Sequence, residues 1–401
     1  MKSFFYRSLF LGVAGAAIVD AYSLYDSAPM IGVADSYDVE YSANFKFGYD
    51  SNVNWVSENE DDSPFVNASV SARYADMESV NKLSYMVQLG FTHYLDLEKG
   101  SSQSETRGDC KLTASMVHAF TSSDVLSSSL YVTYTPQADY AFGYAPTYSV
   151  GDMLNVSFAN VYSHAIDSRW SLTASASYSS ITYSESIERN DNRYYIEFGG
   201  GVRYRESAIM TYRADARYTR ELREEGFDSD RYTLTVGFQR ALDPFSSCGG
   251  DIGVQMRAYS EDTFASPYVN FSYRRKLSEG LNAQVFVRYS DENSGTANND
   301  KVYLTNKTWR IGSTFSYILS PDVTYHLGAN FIMSDYADER FGGSGYTSDR
   351  YEVSLGMSYA FTQQLRGNIS GSYTIISRDY RDRDEDDVSR WTVSAGATYA
   401  F

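Results

Sequence analysis

Tyr37-Asp-Val-Glu-Tyr-Ser-Ala-Asn-Phe-Lys-Phe-Gly-Tyr-Asp50 alternates from end to end. Tyr37, Val39, Tyr41, Ala43, Phe45, Phe47 and Tyr49 share one side, while Asp38, Glu40, Ser42, Asn44, Lys46 and Asp50 take the other. Successive side chains of a strand point to opposite faces. This strand therefore offers one face to hydrocarbon and one to water. Period two recurs over 65–74, 83–95, 110–120, 126–135, 153–162, 170–179, 194–205, 209–218, 232–240, 252–259, 268–274, 281–289, 308–318, 323–333, 351–361, 365–376 and 390–401. That predicts about eighteen strands, each near the ~9–11 residues a tilted membrane strand needs.

Charge separates a membrane barrel from a soluble sandwich. Arg240, near a strand end, is the only Lys, Arg, Asp or Glu on the apolar face within those bounds. An Arg or Lys at the bilayer centre costs roughly 2–4 kcal/mol, and little at the interface. Short connections at 121–124, 163–168, 206–207, 276–280, 320–322 and 362–364 alternate with long ones at 51–64, 96–109, 136–152, 180–193, 219–231, 290–307, 334–350 and 377–389. The turns at 75–82 and 241–251 read longer than ideal, and 260–267 reads as a short outer loop. Short turns belong to the periplasm and long loops to the exterior. Tyr37, Tyr74, Phe120, Tyr162, Tyr204 and Phe238 at inner strand ends, with Tyr49, Tyr134, Tyr178, Tyr218, Tyr289 and Tyr373 at outer ones, form two aromatic girdles. The expected class is all-β: a closed antiparallel transmembrane barrel with long acidic outer loops.

Residues 1–21 carry Lys2 and Arg7, an apolar run Leu9–Val19 and the small-residue site Val19-Asp20-Ala21, which reads as a cleaved signal peptide. Residues 22–36 form a short periplasmic segment, too brief for a plug, and 37–401 form the barrel. The net charge of −17 argues against a nucleic-acid partner. Cys110 and Cys248 fall at opposite rims of this topology and are expected to be unpaired.

The last stretch, Ser394-Ala-Gly-Ala-Thr-Tyr-Ala-Phe401, places Gly396, Tyr399 and Phe401 in a pattern that resembles the C-terminal insertion signal of bacterial outer-membrane β-barrels. Phe47-Gly-Tyr-Asp-Ser-Asn-Val53 is similar to the opening of outer-membrane β-barrel porins linked to exopolysaccharide loci. These resemblances imply an outer-membrane location, insertion by the barrel-assembly machinery, and periplasmic termini. Outer-membrane lipid and lipopolysaccharide are the implied surroundings, and self-association is left open.

The lumen face holds the candidate functional residues. Arg73, Arg203, Arg205, Arg213, Arg217, Arg257, Arg274, Arg288, Arg310, Arg366 and Arg390 fall there, with Lys46 and Lys111. The acids on that face are Asp38, Glu40, Asp50, Glu197, Asp215 and Glu352. Guanidinium forks match carboxylates, so an Arg-lined wall can select anions; the alternative is that each Arg pairs with a neighbouring acid. Arg203, Arg205, Arg213 and Arg217 lie on adjacent strands and are the strongest group, with Glu197 and Asp215 beside them.

Asp382, Asp384 and Asp386 open like a calcium loop, but no Gly follows the third acid and Val393 stands at the distal position. A calcium hand is rejected, which leaves a solvated acidic loop, or loose divalent contact bridging lipopolysaccharide. His93, His118, His164 and His326 sit in no nucleophile–base–carboxylate pattern, so no enzyme and no cofactor are expected. The favoured function is a porin-like channel for passive diffusion of small hydrophilic solutes. The alternatives are an exporter or binding barrel for an anionic exopolysaccharide, and a structural or adhesive envelope protein.

Overall fold

The computed structural model describes residues 39–55, 57, 60–76, 81–97, 105–135, 153–183, 192–224, 228–260, 262–292, 297–298, 301–302, 304–338, 343–380 and 386–401. The expected signal peptide 1–21, the segment 22–36, and Asp382 and Asp384 lie outside them; Asp386 opens the last strand.

The strands are β1 (Glu40–Asp50), β2 (Ser63–Asp76), β3 (Asn81–Tyr94), β4 (Thr106–Ala119), β5 (Asp124–Thr135), β6 (Met153–Ala165), β7 (Trp170–Tyr183), β8 (Arg193–Arg205), β9 (Met210–Arg223) and β10 (Ser229–Asp243). Then come β11 (Ser246–Ala258), β12 (Thr263–Lys276), β13 (Leu281–Glu292), a small hairpin of β14 (Ala297–Asn298) and β15 (Lys301–Val302), β16 (Thr305–Ser320), β17 (Val323–Asp338), β18 (Gly343–Ala360), β19 (Leu365–Tyr380) and β20 (Asp386–Ala400). Apart from the small hairpin, each strand pairs antiparallel with its neighbours in sequence. The first and last also pair, from Ser42↔Ala400 to Asp50↔Thr392. The result is a closed barrel of 18 strands. Closure leaves no sheet edge, the condition for strands to cross hydrocarbon.

The outward face follows the sequence pattern. Phe45, Val70, Leu89, Leu234, Val236, Ile252 and Leu355 are each more than half exposed and face away from the lumen. Ring pairs bound this belt. Tyr218 and Tyr232 lie 5.3 Å apart at its outer edge, and Trp170 and Tyr204 4.7 Å apart at its inner edge. The next outward-facing row beyond Tyr218 is ionic, with Arg220 Nη1 2.7 Å from Asp230 Oδ2. From Met210 to Arg220 is about 34 Å of strand; at a tilt near 40° this rises about 26 Å, close to the ~25 Å apolar band of such barrels.

The inner turns share one device. Thr121 Oγ1 accepts from the backbone N–H of Ser123 and Asp124, and Asp167 Oδ1 from those of Arg169 (2.6 Å) and Trp170 (2.8 Å). Ser207, Asp243, Ser278, Ser320 and Thr362 each accept from a backbone N–H two or three residues on. Such side-chain turns stabilise tight connections. The Arg169 and Trp170 N–H groups also hold the Asp167 carboxyl below the usual carboxylate range.

Two sequence expectations are corrected. The long inner turn at 241–251 is a tight one, with only Pro244-Phe245 between β10 and β11. Ser246 to Gly250 reads as a loop by composition, yet it is paired on both sides, Gly249 with Gln239 and with Ser272. Outward-facing Gly250 is flanked by Phe271 and Phe238, whose rings cover it. The strands also run further outward than the belt requires, to 16–18 residues in β16–β19, so charges at their ends face outward above the bilayer. Arg275, outside the sequence bound of its strand, is a second exposed cation on the outward face near the inner rim.

Leu355→Arg places a cation in the belt and is expected to lower stability by about 2–4 kcal/mol. Ser354→Arg, which points into the lumen beside Gly328 and Ser372, is expected to change it by less than about 0.5 kcal/mol. Denaturant titration of barrels refolded into vesicles measures both.

Candidate functional site

The strand register settles where each proposed arginine points. Arg73, Arg203, Arg205, Arg213, Arg217, Arg257, Arg274, Arg288, Arg310, Arg366 and Arg390 all lie on the inward face. Their surroundings differ, and the difference divides the lumen into levels.

Mid-wall, Arg203 and Arg213 are register partners on β8 and β9. Arg213 grips Asp251 of β11 with both arms of its fork, Nε at 2.5 Å from Oδ1 and Nη2 on Oδ2. Asn270 Nδ2 also reaches Asp251 Oδ2, at 3.4 Å. Asp251 lies across Gly237 and Asp215 across Gly201, in hollows that a Cβ would fill. The inward glycines thus seat the two carboxylates flat against the wall. Arg217 is half exposed, with Nε 3.4 Å from Glu197 Oε1, while Thr219 Oγ1 donates to Glu197 Oε2 at 3.0 Å. Arg203 Nε is buried and makes no hydrogen bond among the described residues. The four arginines favoured from sequence do cluster, with acids interleaved: Arg213 is committed to a pair, and Arg217 is loosely held.

Towards the inner mouth the balance changes. Arg205 on β8, Arg274 on β12 and Arg366 on β19 make no ion pair among the described residues; Arg274 reaches only the Gln284 amide oxygen, at 3.3 Å. Lys276 faces the lumen one step below Arg274 and is exposed. Arg73 sits opposite Glu40 in register. Of the turn acids nearby, Asp124 is engaged by Tyr162 and His164 of β6, and Asp167 and Asp243 within their own turns.

Towards the outer mouth several charges are paired and covered. Arg390 binds Asp50 through two nitrogens and stacks on the Trp55 ring at 4.4 Å. Trp55 itself holds φ = 53°, in the left-handed region. Arg310 grips Glu292 at 2.7 and 2.6 Å, and Arg350 Nη2 meets Glu352 Oε2 at 2.9 Å. Arg257, with 1% of its side chain exposed, joins Asp291 Oδ2 at 2.9 Å, Glu221 Oε2 at 3.4 Å and the Glu292 carbonyl at 2.9 Å. Arg257 and Arg310, two of the candidates for a selective wall, are held in this network. Arg288 donates to Ser290 at 3.3 Å beneath it.

Sequence reading passed over Arg107, Arg193, Arg231, Arg350, Arg378, Glu221, Asp251, Asp291 and Glu292. Most lie past the sequence-derived strand ends. Continuing the alternation of 232–240 outward by one residue would have placed Arg231 inward. Asp251 was hidden in the misread turn. His164 closes β6, with Nδ1 2.7 Å from Asp124 Oδ1 at the inner rim, where Tyr162 also donates to Asp124 at 2.5 Å. His326 faces the lumen. Cys110 and Cys248 are free thiols on β4 and β11.

No family model and no curated protein matches the chain. Solved structures with a similar barrel include Pseudomonas aeruginosa OpdK with vanillate, at 10% identity and a TM-score of 0.49, covering 92% of this chain and 100% of that one. Acinetobacter baumannii OccAB3 has 10% identity and a TM-score of 0.48, covering 91% and 100%. The siderophore receptor PirA from Pseudomonas aeruginosa has 9% identity and a TM-score of 0.42, covering 90% and 80%. The functional reading rests on this chain's own side chains.

Asp251→Asn keeps the shape beside Arg213 but removes the charge, and is expected to move the zero-current potential in a chloride gradient towards the chloride limit. Arg213→Met strands Asp251 in the wall and is expected to cost about 2 kcal/mol, below the usual range for a buried pair because the lumen is partly wet. Bilayer recording and denaturant titration test the two in turn.

Proposed function

We propose that this barrel is an outer-membrane channel through which small hydrophilic solutes diffuse, with a preference for anions. The observation that carries the reading is the set Arg205, Arg274 and Arg366 around the inner mouth, in no ion pair among the described residues, on a wall where Asp50, Asp251, Asp291 and Glu292 are tied to other arginines. An 18-stranded barrel is wide enough to enclose water, unlike an eight-stranded one filled by its own side chains. Within it, fixed charge sets which ion lingers. Arginine suits carboxylates and phosphates because its planar fork offers two parallel N–H donors.

Location follows from the same reading. The outward belt fits a bilayer, the short turns mark the periplasmic side, and Gly396, Tyr399 and Phe401 would present the last strand to the assembly machinery. Phe401 is 73% exposed and packs edge-on against Tyr399 at 5.1 Å, where another protein can reach it.

The test is the zero-current potential across a tenfold potassium chloride gradient, which reports selectivity however rarely the channel opens. The expected sign is that of chloride preference. Arg205→Ala, Arg274→Ala and Arg366→Ala combined are expected to bring it at least halfway to zero. A potassium-selective wild type would refute the anion preference, and a triple variant indistinguishable from wild type would remove these residues from the account.

A further inference from the structure

On the outward side of β6 to β11 the wall is scooped into a trough of about 970 Å³. The strand register gives its shape. Its floor is two outward-facing rows, of which Ala174, Gly200, Ala214 and Ala216 are the smallest members. The next outward row towards the inner rim is Trp170, Tyr204, Tyr212 and Phe238, and the next towards the outer rim includes Phe198, Tyr218, Tyr232 and Met256. Large side chains, most of them rings, therefore bank a bed of small ones. Arg213 and Arg217, which face the lumen on the same stretch of β9, do not line the hollow, so it opens to the outside.

The trough also has a direction. Its rows run from His164 and Tyr162, at the inner end of β6, to Ile252 and Val254, midway along β11. Strands β6 to β11 lie ~4.8 Å apart, which makes it about 24 Å long. With strands tilted near 40°, a row across them climbs about 15 Å, half of the ~30 Å hydrocarbon core. That is the depth of one leaflet.

At its foot acid and base alternate. Asp124 accepts from Tyr162 and meets His164 Nδ1 at 2.7 Å, while Asp167 and Arg169 lie exposed in the turn from β6 to β7. A headgroup carrying both an amine and a phosphate matches such a foot, whereas a purely anionic one would face two carboxylates. A second copy of the barrel fits less well, because its convex wall would rest on the two banks and leave the bed empty.

We infer that this trough seats an acyl chain of an ethanolamine phospholipid from the inner leaflet, its amine towards Asp124 and Asp167 and its phosphate towards His164 and Arg169. A chain lying in the bed makes dispersion contacts that lipid bridging from bank to bank would forgo. The site needs the belt to lie in a bilayer; it does not need the barrel to conduct.

Tryptophan quenching by lipids brominated in mid-chain tests this, with the full-length protein in vesicles of choline phospholipid. Trp170 stands on the inner bank, and Trp309, at the outer end of β16, faces outward away from the trough. Each is kept as the sole tryptophan, the others being replaced by Phe. With brominated ethanolamine phospholipid as a tenth of the lipid, Trp170 is expected to show at least threefold the quenching that mole fraction gives, and Trp309 the mole-fraction value. Filling the bed with Gly200→Leu and Ala216→Leu is expected to abolish the excess; a Cβ at Gly200 meets nothing nearer than 3.7 Å, so the wall can carry it. Asp124→Asn with Arg169→Gln is expected to erase the preference for ethanolamine over choline. Heat-modifiable gel mobility shows that each barrel is folded. Trp170 quenched no more than Trp309, or equally by brominated choline phospholipid at the same fraction, overturns the site. Trp170 shielded from every brominated lipid, with dimers on cross-linking, overturns it in favour of a second copy. Quenching of neither tryptophan would refute the bilayer placement itself.

Discussion

The pairing of β1 with β20 is the constraint on which the remainder depends. Nine register pairs from Ser42↔Ala400 to Asp50↔Thr392 convert an open sheet into a ring. In hydrocarbon an unpaired backbone group costs several kcal/mol, so a row of them at an open edge could not persist. Once the ring closes, every residue has only two addresses, lipid or lumen. Alternation then distributes apolar and polar side chains without further instruction.

That distribution explains how so many charges are held in one wall. Inward arginines from neighbouring strands would repel if bare, and the structure spaces them with carboxylates seated over glycine: Asp215 across Gly201 and Asp251 across Gly237. The glycines thus serve electrostatics as much as curvature. Going outward, burial deepens, until Arg257 is enclosed by groups from two other strands. Going inward, arginine runs ahead of its partners. One wall therefore carries a more committed outer level and a less committed inner one.

Much of this was legible in the residues. Period two and the exclusion of charge from one side of it disclosed the barrel and its approximate strand number. Short connections marked one rim by length alone, and the structure shows why they are short: Thr121, Asp167 and Thr362 are residues whose side chains close tight turns. What escaped notice lies where local signals mislead. Ser246 to Gly250 has the composition of a loop but is held extended by ladders on both flanks. The strand extensions above the bilayer were invisible because they carry charge on both faces and so lose the alternation that marks a membrane strand. Pairing partners across the ring, such as Arg257 with Asp291, depend on register through intervening strands, which one sequence does not state.

Oxidative cross-linking across the seam tests closure most directly. Asn44 and Thr398 are register partners inside the lumen, with Thr398 Oγ1 3.1 Å from Asn44 Oδ1. In barrels folded into vesicles and freed of native thiols, Asn44→Cys with Thr398→Cys is expected to form an intramolecular disulfide, whereas Asn44→Cys with Ser394→Cys, two steps out of register on the same face, is not. Failure of the first pair to join in the folded protein, or equal joining of both, would contradict a ring with this seam.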